Sequence, residues 1–343
     1  MNGQYVDLAV DYTRALLEQP SPSGCTRRAT DALMQLLTDM GYAPYRTHKG
    51  CVVCTLGGEG RPLALAAHVD TLGLVVSEIK SSGALRFSRI GGPSLCSLET
   101  EGVRVLTRDG REIRGTVQLA NASSHVNGEL QTQPRDEDHL EILLDELVFS
   151  KADTEKLGIM TGDIVFIDPR MEITSSGFIK SRFLDDKLSA GMLLALARAV
   201  KDGAVTLSRK VTIFLSVYEE VGHGASSGLP ADTQDLLVVD MGCVGDHVTC
   251  RETQVSICAK DSGGPYDYEM TGEVIAAARE AQADYAVDVY PRYGSDAGTA
   301  LHAGMDIRTA LIGSGVYASH GYERTHVKGV ENTLKLLFTF VQR

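Results

Sequence analysis

No stretch of this chain reaches the ~18 consecutive apolar residues that a membrane-spanning helix needs, although 43% of its residues are hydrophobic. Positive charge is also short. The chain has 33 Lys and Arg against 45 Asp and Glu, a formal net charge of -12, so nucleic acid and anionic membrane surfaces are excluded as main partners by repulsion. The opening, Met1 to Asp7, lacks a basic segment leading into an apolar core; no secretory leader is read there, and the expected location is the cytoplasm. Neither GxGxxG nor GxxxxGK(S/T) follows a strand-like run, which argues against a nucleotide-binding doubly wound protein. Internal repeats and low-complexity tracts are missing as well. Cysteine is sparse, seven residues scattered in apolar surroundings, and this odd number suits reduced core residues and not a disulfide framework. The only CxxC, Cys51-Val-Val-Cys54, lies in a β-like run without the second pair or neighbouring histidines of a structural zinc site, so it reads as core packing.

What is present is a long chain with two textures. At 343 residues it exceeds the usual size of a single hydrophobic core, which favours two domains. Residues 5–18 and 27–39 carry apolar positions at helical spacing, the second run stopping at Gly41, and Pro62 to His68 is a continuous apolar run of the kind buried on both faces of a sheet. From 74 to 167 short alternating strands replace helices, with a hairpin turning on Asp109-Gly110 and a polar loop from Asn121 to His139. Past Asp168-Pro169 helices and strands alternate again: a helix from about Asp186 to Val200, strands at 210–218 and 236–240, a helix from about 266 to 282, strands near 286 and 307, and a last helix over 328–341. The expected fold is therefore α/β: a mixed, mostly parallel sheet covered by helices on both faces, formed by 1–73 and 168–343 and interrupted by a small β-rich domain over 74–167.

His68 and Asp70, Asp185 and Asp186, Glu219 and Glu220, Asp240 and His320 stand at the ends of these elements, where open α/β sheets collect ligands. Each has an ordinary explanation alone. An HxD pair is commonly a satisfied histidine, Asp185-Asp186 would cap a helix, Asp240 a strand, and His320 would sit in a turn. Together, two histidines and three carboxylates suffice for a pair of tetrahedral-like sites if one carboxylate is shared. The doublets then gain a purpose. Asp70 can accept from the free ring N–H of His68, and one carboxylate of "EE" can bind metal while the other carries a proton.

The segments "AAHVDTLG", "RFLDDKLSAG", "YEEVGHGA", "VVDMG", "GSDAG" and "SHGYE", in this order over nearly the whole chain, resemble the M42 family of cytosolic metallo-aminopeptidases, a zinc-peptidase-like fold. The resemblance implies a dinuclear-metal aminopeptidase that hydrolyses N-terminal residues from short peptides through a metal-bridged water. His68, Asp185, Glu220, Asp240 and His320 would be ligands of two divalent ions per subunit, zinc or else cobalt. Asp185 would be the bridge, preceding a cis peptide to Asp186, with Glu219 the general base and Asp70 the partner of His68. It also implies that the inserted domain dimerises, with dimers building up to a dodecamer. Two features depart from the family's pattern. The turn after the glutamates is one residue short, leaving His223 where the family has Leu-Arg, and "SHGYERTH" offers His326 as an alternative to His320. Arg292, Ser295 and Asp296 stand either near substrate or in a turn capping the next helix. Two other readings of the chain remain: a metal-dependent amidase or deacylase of small N-acyl compounds, and a catalytically inactive binding or assembly protein with the same fold.

Overall fold

The computed structural model describes residues 3–343; Met1 and Asn2, the first residues of the opening read for a leader, lie outside the described residues. The chain forms two compact units, one from Leu72 to Pro169 and one from the segments on either side of it.

The larger unit is built on a 13-stranded mixed sheet among the described residues. Its centre is four neighbouring parallel strands, Val211–Ser216, Leu63–His68, Asp235–Val239 and Arg308–Tyr317. Every residue of the first three is buried, which explains why each reads as a continuous apolar run without alternation. The register sets Ser216 beside His68 and Val239 beside Ile312, so the strands finish close together at their carboxyl ends. Toward the margins antiparallel pairs take over: Val52–Gly57 against Val211–Ser216 on one side, Val255–Asp261 and Glu323–His326 against Arg308–Tyr317 on the other. The sheet is thus mixed, as the sequence suggests: parallel at its centre, with antiparallel pairs on both sides, and Val255–Asp261 pairing Tyr285–Val289 in parallel again.

Helices cover both faces of this sheet. Leu184–Lys201 is buried over most of its length and packs on the first helix, Gln4–Leu17. The approach is close at Gly191, where a Cβ would lie 2.3 Å from Thr13 Oγ1 and 2.6 Å from the Ala9 carbonyl. Tyr268–Glu280 and Val327–Val341 complete the layers, with Asp267 capping the former through Met270 N–H at 2.7 Å. Cys54 on the Val52–Gly57 strand and Cys51 just ahead of it are buried, and all seven cysteines are free.

The unit from Leu72 to Pro169 is a closed barrel of six strands: Gly73–Ile79, Leu85–Ile90, Gly102–Leu106, Glu112–Leu119, Leu140–Leu144 and Ile164–Ile167. The hairpin expected at Asp109-Gly110 is there, pairing Leu106 with Glu112, and Gly110 takes the left-handed backbone that its turn requires. Residues 121–139 hold turns and no strand or helix.

Candidate metal centre

His68 is the last residue of its strand, Glu219 and Glu220 form a short turn just past Ser216, and Asp240 follows Val239 directly. Asp185 enters at the start of the Leu184–Lys201 helix, where it and Asp186 have non-helical backbone and are joined by a cis peptide. His320 lies in the loop between Tyr317 and Glu323. Phe183, Tyr218 and His320 all adopt left-handed backbone beside or within these segments, a conformation that non-glycine residues seldom take.

These placements create two donor groups with one member in common. Ligand atoms of His68, Asp185 and Asp240 lie within 4.8 Å of one another, as do those of Asp185, Glu220 and His320. His68 Nε2 is 3.0 Å from Asp185 Oδ1, and His320 Nε2 is 3.6 Å from Asp185 Oδ2 and 3.7 Å from Glu220 Oε2. Glu219 stands beside them, its Oε2 3.9 Å from His68 Nε2, and its carboxylate makes no hydrogen bond among the described residues.

The donor chemistry fits cations. His68 Nδ1 is 3.0 Å from the Asp70 carbonyl oxygen, which can only accept, so Nδ1 donates and Nε2 presents its lone pair to Asp185. Two acceptors facing each other need a proton or a metal ion between them. Burial opposes a charged His68, but Asp185 and Asp70, with Glu219 and Asp240 beyond, outweigh it and raise the imidazole well above its ordinary range. Burial pushes Glu219, Glu220 and Asp186 well above the usual carboxylate range, with neighbouring carboxylates adding to it, and lifts Asp240 to about 7, Asp185 contributing. Asp185 moves the other way: burial is outweighed by His68 and His320, which hold it down. Glu220 Oε1 is buried with no hydrogen-bond partner among the described residues. Such a cluster resists ionisation unless positive charge enters it.

Asp70 does more than its place beside His68 suggests. Its carboxylate lies 3.6 Å from His68 Nδ1 but accepts from Glu219 N–H at 3.1 Å, Glu220 N–H at 3.3 Å and the Ser23 hydroxyl at 2.5 Å, and so anchors the glutamate turn. His326 is not brought to the cluster. Its Nδ1 accepts from Lys328 N–H at 3.0 Å and its Nε2 donates to the Ser176 carbonyl at 2.8 Å, so both ring nitrogens are engaged in capping the last helix and tying down a turn. His223 stacks on Tyr218 with ring centroids 4.8 Å apart, and the short turn is closed by Lys49, which donates to the Gly224 carbonyl at 2.7 Å.

Sequence reasoning missed several supports. Glu323 accepts Asp185 N–H and His320 N–H, each at 3.1 Å, and its only signal was its position inside "SHGYE". Lys187 buries its ammonium against the carbonyls of Leu16 and Gln19, at 2.9 and 2.7 Å. Asp296, which the sequence places near substrate or in a capping turn, opens the next helix and accepts from Ser216 and from Ala225 N–H, pinning the end of the strand to the turn that follows the glutamates. Ser295 caps the next helix, yet it also lines, with Arg292, the cavity of about 590 Å³ onto which Asp185, Glu219, Glu220, Asp240 and His320 open.

Residues 50–336 match the family described as M42 glutamyl aminopeptidase. The chain is 42% identical over 335 residues to YhfE of Bacillus subtilis, covering 97% of each sequence. Among solved structures it superposes on a TET aminopeptidase from the marine sediment archaeon Thaumarchaeota archaeon SCGC AB-539-E09 with a TM-score of 0.89 at 21% identity, over 98% of this chain and 97% of that one. The TET1 peptidase of Pyrococcus horikoshii, which can assemble into a tetrahedron or a large octahedral shell, gives 0.82 at 22% identity, over 97% and 99%. The chain belongs to the M42 family of metal-dependent peptidases and is a peptide hydrolase.

Proposed function

We propose that the chain is an aminopeptidase that removes N-terminal residues from short peptides, using two divalent cations held by His68, Asp185 and Asp240 and by Asp185, Glu220 and His320. One observation carries this reading: Asp185 belongs to both donor groups, while Glu219, on the wall of the same cavity, belongs to neither. Zinc, with cobalt as the alternative for this nitrogen and oxygen donor set, supplies Lewis acidity that polarises a carbonyl and brings the pKa of a water toward ~7. Glu219 takes the proton of the attacking water as the C–O bond forms, then delivers it to the amine nitrogen as the C–N bond breaks, a role commonly worth ~10²–10⁴ in rate. Asp70 keeps Glu219 in place through its backbone N–H, and Glu323 does the same for Asp185 and His320.

Metal analysis beside a panel of aminoacyl anilides, free and N-acetylated, tests this. The expected result is about two ions per chain and turnover of the free amines alone. Turnover of the acetylated set only would replace the aminopeptidase by a deacylase of small N-acyl compounds. Homo-oligomers are part of the same proposal, dimers made through the Leu72–Pro169 unit and assembling up to a dodecamer. The assembly of the Pyrococcus enzyme supports it, as do Leu147 and Phe149 on that unit, 89% and 80% exposed. The seven free thiols favour a reducing compartment, the cytoplasm.

A further inference from the structure

At the opposite ends of the four central strands, arginines gather around a buried carboxylate. Asp235 opens its strand in register with Arg308 on one side and Leu63 on the other. Arg61 stands just ahead of Leu63, and Arg209 just ahead of Val211. The carboxylate of Asp235 accepts both Nε and Nη2 of Arg308, at 2.9 and 3.0 Å, and Nη2 of Arg61 at 2.8 Å. Arg308 alone satisfies both oxygens, so tying the strand starts together requires no further arginine.

The remaining positive charge is in excess. Arg61, Arg209, Arg308 and Arg343 line a cavity of about 290 Å³ together with only two carboxylates, Asp235 and Glu273, in a chain whose net charge is -12. Glu273 is already paired to Arg308 at 3.0 Å and Glu280 stands 3.6 Å from Arg343, so the excess is the one positive charge left where Arg61, Arg209 and Arg308 share Asp235 and Glu273. Arg209 keeps a side chain only 13% exposed, yet its contacts are one 3.5 Å approach to Asp235 and the ring of Phe340, 5.1 Å from its guanidinium carbon. A guanidinium offers five N–H donors. Burial, with the charges of Arg61 and Arg308 in addition, works against the Arg209 cation, and Asp235 and Glu273 offset this only in part.

We propose that this cavity binds a phosphate group, carried by inorganic phosphate or by a small phosphomonoester. Guanidinium forks match phosphate oxygens in pairs. A phosphomonoester brings about -1.5 to -2 charges at pH 7, enough to balance the excess. At ~30 Å³ per water, the volume also leaves room for an organic substituent. This site lies at the amino ends of the strands whose carboxyl ends carry the metal centre, and it does not depend on the reaction proposed there.

Calorimetric titration of the metal-loaded protein with inorganic phosphate and with glycerol 2-phosphate, at constant ionic strength with chloride as the control, tests the assignment in wild type, Arg61→Gln and Arg209→Gln. A saturable site for either ligand, weakened at least tenfold in both variants while kcat/KM on an aminoacyl anilide stays unchanged, is the expected result. Which of the two ligands binds identifies the source of the phosphate group. Arg61 is 46% exposed and Asp235 keeps Arg308, so Arg61→Gln remains folded and decides the matter if Arg209→Gln does not. Equal affinity in wild type and Arg61→Gln, as binding at the metal centre would give, overturns the proposal, and so does the lack of a saturable site with both ligands.

Discussion

Glu219 and Glu220 are adjacent in sequence, but their carboxylates have different surroundings. Glu220 joins Asp185 and His320 in a donor group, while Glu219 opens on the cavity without a hydrogen bond among the described residues. Glu219→Gln therefore keeps the shape and removes only the proton carrier. Its metal content, read by mass spectrometry, is expected to equal that of wild type, while kcat falls by ~10²–10⁴; a fully active variant refutes the role. Glu323 acts one layer further out, holding two backbone N–H groups that aim Asp185 and His320. In Glu323→Gln one of those donors meets an amide NH₂. Metal affinity, measured by competition with a chelator, should drop about 10–100-fold, as for other residues that orient ligands, and unchanged affinity would make Glu323 a structural residue only.

At the scale of elements, the Asp240 ligand position depends on how closely two parallel strands approach. A Cβ on Gly313 would lie 1.6 Å from the carbonyl oxygen of Asp240, so Gly313→Ala must push that backbone aside. The variant is expected to lose about 1–3 kcal/mol of stability, as overpacked cores do, and to bind metal less well. Gly272 is the contrasting case. It sits exposed inside the Tyr268–Glu280 helix with nothing within 4 Å of an added methyl, and Gly272→Ala should raise stability by about 0.5–1 kcal/mol through helix propensity alone. Thermal melts of the two variants at matched metal content check both signs. The same strands explain what could be read in advance: runs such as Leu63–His68 are apolar throughout, whereas Glu323–His326 is polar by composition and becomes a strand by pairing with Phe178–Ser181 on one side and Tyr317 on the other.

For the whole molecule, the consequence is that cations and stability are linked. Six buried or nearly buried carboxylates, Asp70, Asp185, Asp186, Glu219, Glu220 and Asp240, crowd two histidines, and their mutual repulsion is relieved when positive charge enters. Exhaustive chelation should lower Tm as well as abolish turnover, and readdition of zinc or cobalt should restore both. A site filled at 100 times its Kd contributes about 2.7 kcal/mol by mass action, which differential scanning calorimetry resolves. A Tm indifferent to chelation contradicts the metal centre. Sedimentation velocity tests the assembly, and charged substitutions at Leu147 and Phe149 are expected to lower the oligomeric order if the Leu72–Pro169 unit carries the contact.

The sequence by itself determined the elements and the chemistry of the donors. Continuous apolar runs marked the buried strands, helical spacing marked the covering helices, alternation marked the small β unit, and the His, Asp and Glu residues at element ends marked the site, since these signals are local and repeat over a few residues. Tertiary structure decided what depends on distance across the chain: that Asp185 is shared by both donor groups, that His326 is spent on a helix cap while His320 reaches the cluster, and that Glu323 and Asp70 hold the backbones of the ligands. It also brought Arg61, Arg209 and Arg308, far apart in the chain, around one buried Asp235. No local pattern encodes such meetings, because they are set by the register of parallel strands joined through long crossovers.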